Sequence, residues 1–381
     1  MKFKKMISLI LSLTLLASLL SACGSAKSDT PSNAGVAGSV ESSPSQEETK
    51  DIAFDAEENT IYFAMKAGTI RNAINILADQ LGYYKEEGVN VKFVNGSGTE
   101  ALTAITTGKA DVDVLGTGIV PDLTFIANGS DLVIFEGTAA EGGAVIARKD
   151  EVETYKDLQN YAGITAAMVR GESGWVITRA KLIENGVDVD SIHLLEVDSE
   201  ANVAQAVAKG EADVGFLPTE LAKSLNDIGT AVVYEVGELD PQYVCCRQVT
   251  SSQKLEEKRD AFIKFSIANL RAWEYYEDEN NRDNIVKLLA EFSGQTEQYV
   301  SDLLFVNRTV LTLDPNEKGI ITYYNSLDSI GYFDGSAADI EDHIDTSVYA
   351  EALQTVLERY PDDAFFQDKL ELYREYNTAL I

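Results

Sequence analysis

The sequence predicts an α/β protein built from two similar domains. The first observation behind this is a repeat. Ala101–Leu115 (ALTAITTGKADVDVL) and Val203–Leu217 (VAQAVAKGEADVGFL) share an apolar helical stretch, a Gly before a charged residue, Ala-Asp-Val, and a short apolar strand. Gly is a natural helix C-cap, and the apolar run after it is too short for a helix and reads as a buried strand. The second observation is a strand–helix rhythm around both copies. The third is size: beyond a polar N-terminal stretch, about 320 residues remain, enough for two domains, in a chain that is 45% hydrophobic. In open α/β sheets ligands sit outside the carboxyl ends of the strands, so two such ends facing each other make a cleft.

Taken in order, the chain opens with a basic stretch, Met1-Lys-Phe-Lys-Lys, followed by the apolar run Met6–Leu20 and then Leu20-Ser-Ala-Cys23-Gly. This fifteen-residue stretch, apolar apart from Ser and Thr, is short for a membrane span and suits a secretory signal. Leu three positions before a cysteine that follows small residues resembles the bacterial lipobox, which implies cleavage after residue 22 and lipidation of Cys23. Acyl chains contribute roughly 0.8 kcal/mol per buried CH₂, so two or three of them make a stable membrane anchor. Residues 23–58, rich in Ser, Gly, Pro and acidic residues, cannot bury enough surface to fold and read as a tether with a reach on the order of 30 Å.

The folded part then begins with strand Ile61–Lys66 and a helix opened by Gly68-Thr69 and running through Leu81. Val89–Val94 alternates as a strand and ends at Asn95-Gly-Ser-Gly-Thr99, which caps the first helix of the repeat. The repeat strand stops at Gly116-Thr117-Gly118. Leu132–Gly137 and Gly143–Arg148 are further strands. A second run has a helix near Thr154, strand Gly163–Met168, the turn Arg170-Gly-Glu-Ser-Gly174 entering helix Trp175–Glu184, strand Ile192–Val197, the second repeat copy ending at Pro218-Thr219-Glu220, and strand Ala231–Tyr234. From Gln253 onward the pattern is mostly helical, with aromatic residues at core spacing.

The chain carries 62 acidic against 31 basic residues, a net charge of -31. That argues against nucleic acid or anionic lipid as a partner. Apart from Cys23 the cysteines are Cys245 and Cys246, in a segment that reads as a buried strand, where neighbours point to opposite faces. They read as small core residues, with a vicinal disulfide or redox role as the alternative. His193 and His343 have no carboxylate or cysteine partners at metal-site spacing, and both read as structural. No nucleophile elbow, phosphate loop or zinc-protease motif occurs. No catalytic residue, cofactor or metal is expected.

Leu81-Gly-Tyr-Tyr-Lys-Glu-Glu-Gly-Val-Asn-Val, Gly108-Lys-Ala-Asp-Val, Gly210-Glu-Ala-Asp-Val and Asp339-Ile-Glu-Asp-His-Ile-Asp-Thr-Ser-Val-Tyr, in that order behind a lipobox, resemble the nitrate/sulfonate/taurine/thiamine-precursor family of ABC-transporter solute-binding proteins. The resemblance covers residues 60–353. It implies a two-lobe, type II Venus-flytrap (periplasmic-binding-protein) fold with a mostly helical C-terminal segment. The chain would cross between lobes near Ala147–Glu151 and Gly237–Gln242, giving lobe one as 59–148 and 241–381 and lobe two as 149–240. The last 28 or so residues extend beyond the resemblance and are expected only to pack. It also implies a monomeric, non-enzymatic binding protein, lipid-anchored at Cys23 outside the cytoplasm, that hands a small solute to an ABC permease and its ATPase. Some pyrimidine-synthesising relatives are enzymes with a cysteine-rich motif and a reactive histidine, which this chain does not match.

The expected cleft residues follow from strand ends and helix starts. A helix N-terminus offers unpaired N–H groups and about half a positive charge, enough to hold an oxyanion. Thr69 opens the first helix, Ser97, Gly98 and Thr99 the second, and Glu172, Ser173 and Gly174 one in the other lobe; Thr117 and Gly118 add a further strand end. Arg71 and Arg170 would supply charge-assisted bonds. Glu136 and Glu220 would suit an amine or an aminopyrimidine nitrogen. Together these suit a small sulfonate, taurine or nitrate, with an aminopyrimidine thiamine precursor as the rival, and a surface lipoprotein without a transport role as the reading of another class.

Overall fold

A computed structural model describes residues 56–379 apart from Ser97, 110–111, 225–227, Arg308 and 334–337. The expected signal segment, Cys23 and most of the tether lie outside the described residues. The first sheet comprises β1 (Thr60–Met65), β2 (Asn90–Asn95), β3 (Val114–Gly118), β4 (Val133–Ala140), and, much later in the chain, β10 (Val244–Thr250) and β11 (Val310–Leu311). The second comprises β5 (Gly143–Arg148), β6 (Thr165–Met168), β7 (His193–Glu196), β8 (Val214–Pro218) and β9 (Thr230–Glu235).

The sheets share one plan. Their orders are β11-β4-β10-β3-β1-β2 and β7-β6-β8-β5-β9. In each, the first three βα strands run parallel and β10 or β5 lies antiparallel to the strands on either side of it; in the first sheet the short β11 also runs antiparallel to β4. β10 and β5 are the strands by which the chain arrives from the other lobe, so each enters at the carboxyl ends of the parallel strands. The first crossing therefore sits at Glu141–Gly142, between β4 and β5, and not at Ala147–Glu151: residues 143–148 belong to the second sheet. Two adjacent apolar strands gave no sequence sign of changing sheets. The turn is made by positive φ at Glu141 (59°) and Gly142 (99°). The return passage runs from Val236 to Tyr243, with Gln242 at φ 63°.

The repeat marks equivalent places, but two residues out of register. Asp213 accepts from the Thr165 N–H (2.8 Å) and its own N–H donates to the Thr165 carbonyl (2.8 Å). Its counterpart in the first sheet is Asp113, which makes the same pair with Tyr62 (2.9 and 2.8 Å); Asp111 of the Ala-Asp-Val motif lies outside the described residues. Each Asp fastens the amino end of a repeat strand to the strand beside it. Gly108 and Gly210 end the preceding helices with φ 67° and 75°, a conformation that costs Gly little. The helix opened at Gly68-Thr69 in the sequence reading begins only at Ala73, because residues 66–72 form turns.

Asp113 is 1% exposed and also meets Lys254 (3.1 Å) and Lys258 (2.9 Å) from the helical C-terminal half. Removing one partner of a buried ion cluster leaves uncompensated charge, at a cost of about 3–5 kcal/mol. Asp113→Ala is expected to lower stability by that order in urea denaturation. Asp213→Ala, which removes a backbone clasp without buried lysines, should cost about 1–2 kcal/mol.

A second polar network lies inside lobe one. Glu136, in the middle of β4, is fully buried and accepts from Gln248 (2.9 Å) and Asn269 (2.8 Å). Asn75 donates to Gln248 (3.3 Å) and the Tyr84 hydroxyl to Asn269 (2.7 Å). Burial pushes the Glu136 carboxyl up to about 8, against the opposing hydrogen bonds from Asn269 and Gln248. The group is thus protonated in the folded state up to that pH, while the unfolded chain releases the proton near the usual carboxylate value. Stability from this residue falls as pH rises from about 4.5 to about 8, with a ceiling near 1.4 kcal/mol per pH unit. Glu136→Gln removes the titration. Relative to wild type, the variant should gain urea resistance between pH 5 and pH 8; a pH-independent difference would exclude a neutral Glu136.

Candidate functional site

A cavity of about 270 Å³ lies between the two sheets at the carboxyl ends of their parallel strands. From lobe one come Arg71, in the turns after β1, Gly118–Pro121 where β3 runs into helix Ile119–Ala127, and Cys245 and Cys246 at the start of β10. From lobe two come Gly171–Ser173 at the start of helix Ser173–Glu184 and Pro218 at the end of β8. Gly142, at the crossing, closes the gap.

Local chemistry explains why two helix N-termini point here. Gly171 turns with φ 82°, and a side chain there would run into the Tyr332 hydroxyl and Val120 of the facing lobe. Glu172 then caps the helix, its carboxylate accepting from the Gly174 N–H (3.2 Å). Helix Ile119–Ala127 begins without a side-chain cap: Gly118, which lines the cavity, is extended (φ -63°, ψ 139°) and has no side chain to bond the first N–H groups. On the inner face of that helix Asp122 is fully buried, with no partner for either carboxylate oxygen among the described residues, and burial pushes its carboxyl well above the usual range.

Of the sequence candidates, Arg71, Gly118, Glu172 and Ser173 line this cavity. Gly174 does not. It packs inward, and a Cβ there would press on Val236 (3.3 Å), Glu172 (3.5 Å) and Gly143 (3.6 Å), so its smallness serves the contact of the helix with β5. Thr69 lies two residues before Arg71 and its hydroxyl accepts from the Arg71 N–H (3.3 Å). Thr117 lies within β3, opposite Arg247. Gly98 and Thr99 begin helix Gly98–Thr106 without lining the cavity; Ser97 lies outside the described residues. Glu220 is in the first turn of helix Thr219–Ser224. Arg170 faces a neighbouring groove of about 520 Å³ with Arg179 and Tyr332, its guanidinium 5.7 Å from the Tyr332 ring. Glu136 is corrected outright: it sits in the buried network, because β4 carries it mid-strand and not at a strand end.

The cysteines are the residues that sequence reasoning missed. Val244 pairs with Ala140 and Cys246 with Ala139, so Cys245 is an extra residue in its strand. A bulge of this kind cancels the strict alternation of faces. Both side chains therefore reach one cavity wall, with sulfurs 3.4 Å apart and no disulfide between them. A larger hollow, about 500 Å³, lies beside Arg259 on the far side of lobe one, but that arginine is already tied to Ser347 and Glu351 and no parallel strand of the sheet ends there.

Comparison with solved structures places the fold. The putative periplasmic sulfonate-binding protein of Methylobacillus flagellatus KT superposes with a TM-score of 0.63 at 14% identity, over 78% of this chain and 94% of its own. The periplasmic nitrate-binding protein of Synechocystis PCC 6803 gives 0.59 at 13%, over 78% and 89%. A desulfurization enzyme gives 0.53 at 14%, over 78% and 99%, so the fold is shared by binding proteins and at least one enzyme. Among curated proteins, none matches this sequence. The two-lobe α/β architecture is that of the periplasmic-binding-protein fold. A family model described as NMT1/THI5 like matches residues 71–281, more than half of the chain, and the chain belongs to the NMT1/THI5-like family.

Proposed function

We propose that this protein is the extracytoplasmic solute-binding component of an ABC importer, and that the inter-lobe cavity takes a small sulfonate carrying an amine, such as taurine, or a nitrate-like oxyanion. One observation carries this reading: the cavity is bounded by the N-termini of two long helices, one from each lobe, with Arg71 and Glu172 on opposite walls. Helix N-termini hold oxyanions through N–H groups and the helix dipole, Arg71 adds a charge-assisted donor, and the Glu172 carboxylate suits an ammonium group. The sulfonate- and nitrate-binding proteins that share the fold agree with this chemistry. Against the aminopyrimidine alternative, no aromatic ring is among the described residues lining the cavity, so a flat heterocycle would lack a stacking surface.

An ABC permease with its ATPase is the partner this reading requires, and Cys23 the anchor that keeps the mature, monomeric chain at the outer face of the membrane. Cys23→Ala is expected to release the protein from the membrane fraction or to leave an unprocessed precursor. A variant that is cleaved normally yet stays membrane-bound would exclude the lipid anchor.

Solute binding stabilises the folded state by RT ln(1 + [L]/Kd), about 2.7 kcal/mol at a hundredfold excess over Kd. Thermal melts against taurine, alkanesulfonates, nitrate and aminopyrimidines should therefore single out the oxyanions. Arg71→Gln should weaken their binding by about ten- to hundredfold in titration calorimetry and leave any pyrimidine affinity unchanged. If none of the four classes shifts the melt, the chain is a surface lipoprotein without a solute role.

A further inference from the structure

Consecutive cysteines on a regular strand stand on opposite faces, but the bulge at Cys245 turns both thiols toward the cavity, where their sulfurs are in contact at 3.4 Å. Cys245 is half-buried and Cys246 buried, and neither is in a disulfide. Cys246 pairs with Gly118, the residue from which the uncapped helix Ile119–Ala127 starts. We propose that Cys245–Cys246 is a reversible oxidation site that gates the cavity, a dithiol that closes to a vicinal disulfide and thereby lowers the affinity for solute.

The closure needs only a small-molecule disulfide as oxidant. The Cys245 sulfur, as thiolate, attacks one sulfur of the oxidant. A mixed disulfide forms and the first oxidant thiol leaves. The Cys246 sulfur then attacks Cys245 Sγ, breaks the mixed disulfide and releases the second thiol. Two electrons pass from the cysteine pair to the oxidant, and the two cysteine protons end on the two released thiols. The second step is favoured because the partner sulfur is already in contact, which makes it intramolecular and oriented. The first step is restrained: the adjacent Cys246 thiol and burial push Cys245 upward, and the Arg71 charge only partly opposes them, so the thiolate is scarce and attack is slow at neutral pH.

Closure would be a switch and not a staple. Adjacent Cα atoms are about 3.8 Å apart, below the roughly 4.4–6.8 Å usual for disulfides. Such a ring is strained and is readily reduced again. Drawing the sulfurs from contact to a bond of about 2.05 Å must rework the bulge. Cys246, next to the bulge, pairs across to Gly118 on β3, so a rearrangement at Cys245–Cys246 is passed directly to the helix N-terminus that faces the cavity. The gating half of the proposal rests on the solute-cleft reading above; the closure itself does not.

The test uses the full mature chain, treated with oxidised glutathione, then with dithiothreitol, with alkylation of free thiols before tryptic mapping. The peptide ending at Arg247 is expected to lose two hydrogens and escape alkylation after oxidation, and to take two alkyl groups after reduction. Taurine binding by calorimetry should fall at least tenfold on oxidation and recover on reduction. In Cys245→Ser, whatever its affinity, oxidant should cause no change. Two alkyl groups after oxidation, two glutathione adducts, or a link to another chain would overturn closure. A disulfide with unchanged affinity would overturn gating. If the reduced protein binds neither taurine nor nitrate, the solute reading fails and gating with it, while the peptide mass still decides closure.

Discussion

The junction where the chain passes twice between the sheets is the constraint on which the rest of the molecule depends. There Glu141 donates its N–H to the Tyr243 carbonyl (3.0 Å), and its carboxylate accepts from the Gln242 N–H (2.9 Å). The Gly143 N–H donates to the Tyr243 hydroxyl (2.7 Å). Glu141 and Gln242 both have positive φ, a conformation that costs a residue with a Cβ of order 1–3 kcal/mol and persists only where the surroundings fix it. Asn316, the third such residue, donates to the Gln242 carbonyl (3.2 Å). Its neighbour Asp314 accepts from Asn377 (3.0 and 3.1 Å). A line of hydrogen bonds thus runs from the C-terminal extension to both passages. The extension, expected only to pack, also fastens the segment that supports the junction. A side chain on Gly237 would collide with the Glu141 carboxylate, so that glycine is fixed by the same clasp.

From this junction follows the position of the cavity. Because β5 and β10 enter their sheets antiparallel at the carboxyl ends of the other strands, both sets of carboxyl ends face the place where the chain crosses. The helices after β3 and β6 then begin at the cavity wall. In a chain of net charge -31, attraction for an anion cannot come from the overall field. It has to be local, from backbone N–H groups whose partial charges act at short range and from Arg71 among largely uncharged neighbours. The acids nearest the site are consistent with this. Burial pushes the Asp122 carboxyl well above its usual value, which favours its uncharged form, and the Glu172 carboxylate is engaged as a helix cap.

Much of this was legible in the sequence. The βα rhythm is carried by period and by Gly C-caps such as Gly210, which act locally. The repeat marked the two lobes, because Asp213 and Asp113 do the same mechanical work in each. It was aligned on Asp111, two residues early, since a short motif does not reveal which of two aspartates meets the neighbouring strand. Gly118, Glu172 and Ser173 were readable as strand ends and helix starts, whereas Arg71, expected just inside a helix, stands in the turns before it. Glu136 was misread for want of the long-range partners Gln248 and Asn269, which lie more than a hundred positions away and alone make a buried carboxyl tolerable. The crossing at Glu141 and the bulge at Cys245 escaped for a different reason. Each is one residue whose backbone departs from the regular pattern, and composition around it is unchanged.

The two lobes also differ in how they are held, and topology explains the difference. Lobe two is continuous in sequence from β5 to β9. One face of its sheet packs a small apolar layer, with Ala144, Ile146, Val203, Val207 and Leu217, and the other a larger one that holds Trp175, Phe216 and the paired hydroxyls of Tyr161 and Tyr234 (2.9 Å). Lobe one joins residues from both ends of the described chain, and its loop-closure entropy is correspondingly larger. It is there that the buried polar networks lie: Asp113 with Lys254 and Lys258, Glu136 with Gln248 and Asn269, Asp314 with Asn377. The first two join an early or middle segment to a late one, and the third ties the C-terminal extension to the segment beside the junction. An apolar face would accept the late helices in several registers, whereas a buried carboxyl accepts only the one that supplies its donors. The networks thus specify how the returning chain seats on lobe one, and through β10 they fix the register of the bulge that lines the cavity.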